Sequence, residues 1–86
     1  MKASHILVST KEQAEAILAE ANALNFGSLA QQHSLCPSKA RGGDLGDFGP
    51  GQMVKPFEDA TVATAVGEIS QPVQTQFGYH LIHRTG

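Results

Sequence analysis

Three side chains of this sequence carry groups able to act on a substrate: His5 in Ser-His-Ile-Leu-Val, Cys36 in Cys-Pro-Ser and His80 in Gly-Tyr-His-Leu-Ile. Two imidazoles and a thiol allow zinc ligation, a thiolate nucleophile with its base, or a histidine pair that forms the floor of a site. Spacing argues against the metal, because there is no Cys-x-x-Cys, no His-x-x-x-His and no ligand-rich cluster. A thiol hydrolase needs a base beside the thiolate and a third group orienting that base, and no local cysteine-protease signature is present. The Cys-Pro step biases Cys36 toward an extended backbone, so a rigid loop can aim the thiol into a site. An inert buried thiol is the plain alternative.

Histidines near opposite ends of a chain act together only if the fold makes their strands neighbours. Residues 3–8 are short, apolar and β-branched, and strand alternation puts His5 and Leu7 on one face with Ser4, Ile6 and Val8 on the other. In the last strand His80 shares a face with Ile82 and Arg84, while His83 points away with Tyr79 and Leu81. His80 and His83 therefore cannot share a ligand.

The intervening elements follow from pattern and punctuation. Thr10-Lys-Glu-Gln13 is a capping box, and Ala14, Ile17, Leu18, Ala21 and Leu24 recur at helical spacing, predicting a helix over 11–24. Asn25 is placed to cap a second helix ending near His33, with Phe26, Leu29, Ala30 and His33 in register. Residues 34–51 are glycine-rich and loop-like, with a brief strand near 44–48. Pro56 suits the first turn of a third helix carrying Phe57 and Ala60, followed by a separate helical piece near 61–66 and a turn at Gly67. Strands at 73–75 and 79–84, joined through Gln76-Phe77-Gly78, close a hairpin. The order β-α-α-β-α-β-β defines an α+β fold, a small mostly antiparallel sheet with helices packed on it.

Size and composition bound the function. A chain of 86 residues makes one domain, 1–86, that buries only about 60–65% of its unfolded surface. Six Lys and Arg against eight Asp and Glu, with no basic cluster, argue against a nucleic-acid partner. The longest apolar runs fall far short of the roughly 20 residues of a membrane span. With no apolar leader segment and a single cysteine, the default expectation is a cytoplasmic protein, working as a monomer. A start at Met1 and an end at Gly86 fit a free-standing chain, and a domain cut from a longer folding factor is the other reading.

Leu45, Met53, Phe57 and Phe77 sit on glycine-rich or turn segments rather than on a regular stripe, and can line a small apolar pocket or simply fill the core. The motifs around them are Ser-His-Ile-Leu-Val, Phe-Gly-x-Leu-Ala, His-Ser-x-Cys-Pro-Ser, Gly-Gly-Asp-Leu-Gly-Asp-Phe, Gly-Gln-Met-Val-Lys-Pro-Phe-Glu-Asp-Ala, Val-Gly-Glu-Ile-Ser-x-Pro-Val and Gln-Phe-Gly-Tyr-His-Leu-Ile. In this order, from Ala3 to Thr85, the chain resembles the parvulin peptidyl-prolyl cis-trans isomerases.

That resemblance implies a four-stranded antiparallel sheet with the first and last strands adjacent at its centre, a parvulin/FKBP-like fold. It implies His5 and His80 as a hydrogen-bonded pair beneath the site, Cys36 beside the substrate carbonyl, and Met53 and Phe57 as the proline pocket. Leu45 and Phe77 become its flanking walls, and Gln52 and Thr75 its polar neighbours; Ser34 and Gln76 look peripheral. No cofactor is expected, and the partners are proline-containing peptides and unfolded or partly folded proteins. The rival reading is a non-catalytic peptide-binding module of the same fold. Val8 runs through Ser9 and Thr10 straight into a helix with Lys11 alone, so no basic loop is available for a phosphate before proline, and uncharged or apolar residues are expected there.

Overall fold

The computed structural model describes all 86 residues and holds a single sheet of four antiparallel strands, ordered β2-β1-β4-β3. Strand β1, Lys2–Val8, lies beside β4, Gly78–Arg84, with Ala3 opposite Arg84 and Val8 opposite Tyr79. β2, Asp44–Asp47, takes the free side of β1, and β3, Val73–Thr75, the free side of β4. The first and last strands are thus the central ones, and everything between them wraps the sheet.

Alternation along these strands builds a core on each face. Ile6, Val8 and Leu81 face α1, Lys11–Glu20, and α2, Phe26–His33, and bury Ala14, Ile17, Phe26, Leu29 and Ala30. Ala3 and Ile82 face the other way, onto Phe48 and onto Phe57 of α3, Lys55–Ala63. His83 lies with the first core, its ring 5.4 Å from that of Phe26, as the alternation argument required.

Three elements differ from the sequence reading. Helix α1 stops at Glu20 instead of reaching 24, and Leu24, expected in its apolar stripe, is 96% exposed. The cause is a local asparagine exchange: Asn22 Oδ1 accepts from the N–H groups of Leu24 and Asn25, and Asn25 Oδ1 accepts from Asn22 N–H. Asn25 Nδ2 also donates to the Glu20 carbonyl, so Asn25 closes α1 rather than capping α2 through its side chain. The stretch read as loop contains a 3₁₀ helix at Pro37–Arg41, begun by Pro37.

Finally, α3 is one helix to Ala63, with no separate helical piece over 61–66. Thr61 Oγ1 donates to the Phe57 carbonyl inside it. Arg84 Nη1 donates at its end to the carbonyls of Thr61, Val62 and Thr64 at 3.4, 3.4 and 3.1 Å. A cation on the last carbonyls satisfies groups a helix leaves open and complements its dipole. Arg84→Met is expected to lower stability by about 1–2 kcal/mol, read as an earlier midpoint in urea with an unchanged slope.

Gly43 sets His5. The His5 N–H donates to the Gly43 carbonyl at 2.9 Å, and Gly43 adopts φ +82°, where a Cβ would drive into the His5 carbonyl oxygen. Only glycine allows β1 that close an approach.

Candidate active site

The register of β1 and β4 decides where the histidines meet. His5 is opposite Ile82 and His80 is opposite Leu7, so the two imidazoles are diagonal neighbours on one face. They bridge that diagonal with Nδ1 to Nδ1 at 3.0 Å, the ring planes 17° apart. One proton lies between the two nitrogens. His80 Nε2 is 2.8 Å from Thr75 Oγ1 across the hairpin, and Thr75 Oγ1 accepts from the Phe77 N–H at 3.2 Å. The chain of contacts therefore runs from the sheet centre to the hairpin tip.

Both imidazoles are buried, and burial drives each pKa down from 6.5 to about 4, for His5 with help from the neighbouring His80. The pair is neutral at pH 7 and supplies no imidazolium. His5 Nε2 is buried without a partner. An unpaired nitrogen lone pair is less costly to bury than an unpaired N–H, which favours the proton on His5 Nδ1 and makes His80 Nε2–H the donor to Thr75.

Phe57 lies edge-on against both rings, at 5.5 Å from His5 and 5.2 Å from His80, and 6.1 Å from Phe48. Phe57 is buried, while Leu45, Met53 and Val54 pack half-buried around this cluster. Phe77 stands 60% exposed at the tip of the β3–β4 hairpin. Cys36 is a half-buried free thiol. Gln52 is exposed and folds back on its own loop, its Oε1 accepting from the Gly49 N–H at 2.8 Å. His5, His80, Thr75 and Phe57 thus form one chain of contacts, with Leu45 and Met53 packed against the cluster of Ala3, Phe48, Phe57 and Ile82.

Ser34, which looked peripheral in the sequence, is buried and organises the approach to Cys36. Its Oγ accepts from the N–H of Leu7 at 3.0 Å and of Cys36 at 3.3 Å, and Leu35 N–H donates to the Leu7 carbonyl at 2.8 Å. The Cys36 backbone is in this way tied to Leu7, the residue opposite His80. A serine two residues before Cys-Pro was the available signal, since a serine hydroxyl readily accepts from the N–H two positions on.

The largest surface concavity, about 440 Å³, lies between α3 and residues 68–73, and a smaller one is lined by Met1, Asp47, Phe48, Gly49 and Gln52.

A four-stranded antiparallel sheet with a neutral histidine pair at its centre and Phe57 edge-on against both rings is the domain class of the parvulins. The PPIC-type PPIase (rotamase) domain matches residues 5–86, and the chain belongs to that family. It is 49% identical over 87 residues to the foldase protein PrsA of Geobacillus sp. strain WCH70, covering 99% of this chain and 32% of that protein. It is 61% identical over 62 residues to the peptidyl-prolyl cis-trans isomerase Pin1 of Digitalis lanata, covering 72% of this chain and 52% of the other. The solution structure of NmPin, the parvulin of Nitrosopumilus maritimus, superposes with a TM-score of 0.82 at 44% identity, covering 100% of this chain and 95% of that one. The chain spans about a third of the length of the curated foldases it matches. No helix is long and apolar enough to cross a membrane.

Proposed function

We propose that this chain accelerates cis-trans rotation of X-Pro bonds in peptides and in unfolded or partly folded proteins, without a cofactor and without a covalent intermediate. The observation that carries the reading is Phe57 seated on the neutral His5–His80 pair, with Met53 and Leu45 packed against the cluster that Phe57 forms with Ala3, Phe48 and Ile82. In this reading Phe57, Met53, Leu45 and Phe77 receive the proline ring, and Cys36 and Gln52 border it. His5, His80 and Thr75 hold the floor in one arrangement.

The required effect is modest. Rotation about an X-Pro bond faces a barrier of about 18–20 kcal/mol, and turnover at roughly 10–1,000 per second needs about 4–7 kcal/mol of selective stabilisation. As the C–N bond twists, amide resonance is lost, the carbonyl becomes less dipolar and the proline nitrogen gains a lone pair. An apolar surface that grips the ring and keeps water from the carbonyl favours the twisted state over the planar one. Cys36 then tunes the field at the carbonyl, since an adduct at an amide carbonyl would cost more than the barrier requires. The Gln52 N–H is already used on the Gly49 carbonyl at 3.3 Å, whereas the Met53 N–H makes no hydrogen bond within the chain. The Met53 amide is the available donor for the developing lone pair.

Substrate preference follows from the β1–α1 connection. Only Ser9 and Thr10 separate the strand from the helix, and both are spent on Gln13: Ser9 Oγ donates to Gln13 Oε1 and Thr10 Oγ1 accepts from Gln13 N–H. That connection is too short to present a basic phosphate site. The 86 residues act as one monomeric domain in this reading, in the cytoplasm, where a free Cys36 thiol persists. An exchange or protease-coupled assay on tetrapeptides differing only before proline tests it. Acceleration is expected to be largest for apolar residues and not raised by phosphorylation; acceleration of none of the peptides, with binding retained, would leave a peptide-binding module instead.

A further inference from the structure

The segment joining β2 to α3 carries Met53 to the edge of the Phe48–Phe57 cluster, yet residues 49–53 form no regular element. Two hydrogen bonds close its turn on itself, Gly49 N–H to Gln52 Oε1 at 2.8 Å and Gln52 N–H to the Gly49 carbonyl at 3.3 Å. Neither attaches the turn to the body of the protein. A third bond does: Gly51 N–H donates to Glu58 Oε1 at 2.6 Å. Gly51 adopts φ +84°, a left-handed conformation that suits glycine and lets this amide face the helix.

Glu58 directly follows Phe57 in the first turn of α3. Its side chain is 15% exposed, and its second oxygen is 3.9 Å from Lys55 Nζ, whereas Lys55 lies closer, at 3.2 Å, to Asp59. The lysine is thus chiefly engaged with Asp59, leaving the Glu58 carboxylate to the loop. A charged acceptor on a backbone N–H is the stronger class of hydrogen bond, and this one is short.

We propose that Glu58 is a positioning residue for the proline-binding wall: by holding Gly51 it fixes the turn that sets Met53 against the Phe48–Phe57 cluster, so the wall exists before the peptide arrives. The inference rests on the isomerase reading above. A loop already held in its bound form saves the ordering cost at binding, so loss of the bond falls on affinity more than on the rate at saturation.

The test compares Glu58→Ala, Glu58→Gln and, as a control on helix charge, Lys55→Ala, using an unphosphorylated proline tetrapeptide followed by NMR. Glu58→Ala is expected to weaken peptide affinity about tenfold while the exchange rate at saturation changes less than about twofold. The Gly51 amide should lose its protection from hydrogen exchange. Glu58→Gln, which keeps an acceptor oxygen, should recover most of the affinity and the protection, and Lys55→Ala should match the parent in both. Equal losses in Glu58→Gln and Glu58→Ala, or unchanged affinity in Glu58→Ala, would overturn the assignment. If Glu58→Ala fails to fold, an unprotected Gly51 amide in the parent, or a Glu58→Gln variant that loses all affinity while folded, overturns it equally. A parent protein that binds the peptide without accelerating it defeats the isomerase reading alone, because affinity and Gly51 protection still report on Glu58.

Discussion

Phe57→Ala is expected to cost about 3–5 kcal/mol of folding stability and to leave no measurable proline turnover. The residue is 3% exposed and is one of only four buried side chains in the core beneath the site, with Ala3, Phe48 and Ile82. The sheet and the hydrogen-bonded imidazoles around the ring are held in place by their own contacts and relax only partially, so part of its volume stays as a cavity. The ring also holds both imidazoles edge-on, an arrangement worth about 0.5–1.5 kcal/mol per pair beyond area burial. A domain of this size has only about 5–10 kcal/mol in total, so the variant should lose a large share of its stability. Phe57→Leu separates the two roles. It keeps most of the volume, should fold at a cost of about 1–2 kcal/mol, and should still lose turnover because the flat floor under the proline ring is gone. Urea unfolding and an isomerase assay in the cold check both variants. A Phe57→Ala protein within about 1 kcal/mol of the parent would show that the ring is not part of the core.

Much of this arrangement was legible in the residues, for physical reasons that differ by element. Alternation in Tyr79 to Arg84 separated His80 from His83 before any tertiary contact was known, because strand geometry leaves a side chain only two directions. The capping box at Thr10 and Gln13 was equally local, and both of its bonds are present. The end of α1 was not, because the apolar period runs on to Leu24 while Asn22 and Asn25 compete for the same backbone groups. Periodicity counts faces and does not weigh such competition. Arg84 on the end of α3 and Glu58 on Gly51 bring together residues that the pattern assigns only to separate surfaces. The identity of the site residues came through the motifs they share with the parvulins. The diagonal pairing of the histidines, by contrast, depends on the register of β1 against β4, which alternation within either strand does not give.

That diagonal pair makes stability depend on pH in a stated direction. In the unfolded chain His5 and His80 titrate near 6.5, and in the fold each is pushed down to about 4. Between those values the unfolded state binds more protons, so acid favours unfolding. The contribution of the neutral pair is fully present above pH 6.5 and is lost as pH falls through 4, a change on the order of a few kcal/mol. Geometry sharpens the loss at its lower end. A single added proton still leaves one Nδ1–H between the rings, but a second would set two Nδ1–H groups against each other at 3.0 Å. Unfolding midpoints in urea should therefore decline from pH 7 to pH 4, and His80→Ala should flatten that decline by removing one titrating group. It should also cost about 1–3 kcal/mol at pH 7, because both ring nitrogens of His5 are then buried without a hydrogen-bond partner. Turnover measured on the folded fraction in the cold should fall less than stability does, since in this reading the imidazoles hold the floor and pass no proton to the substrate. A His80→Ala protein as stable as its parent and devoid of turnover would assign the pair to the chemistry itself.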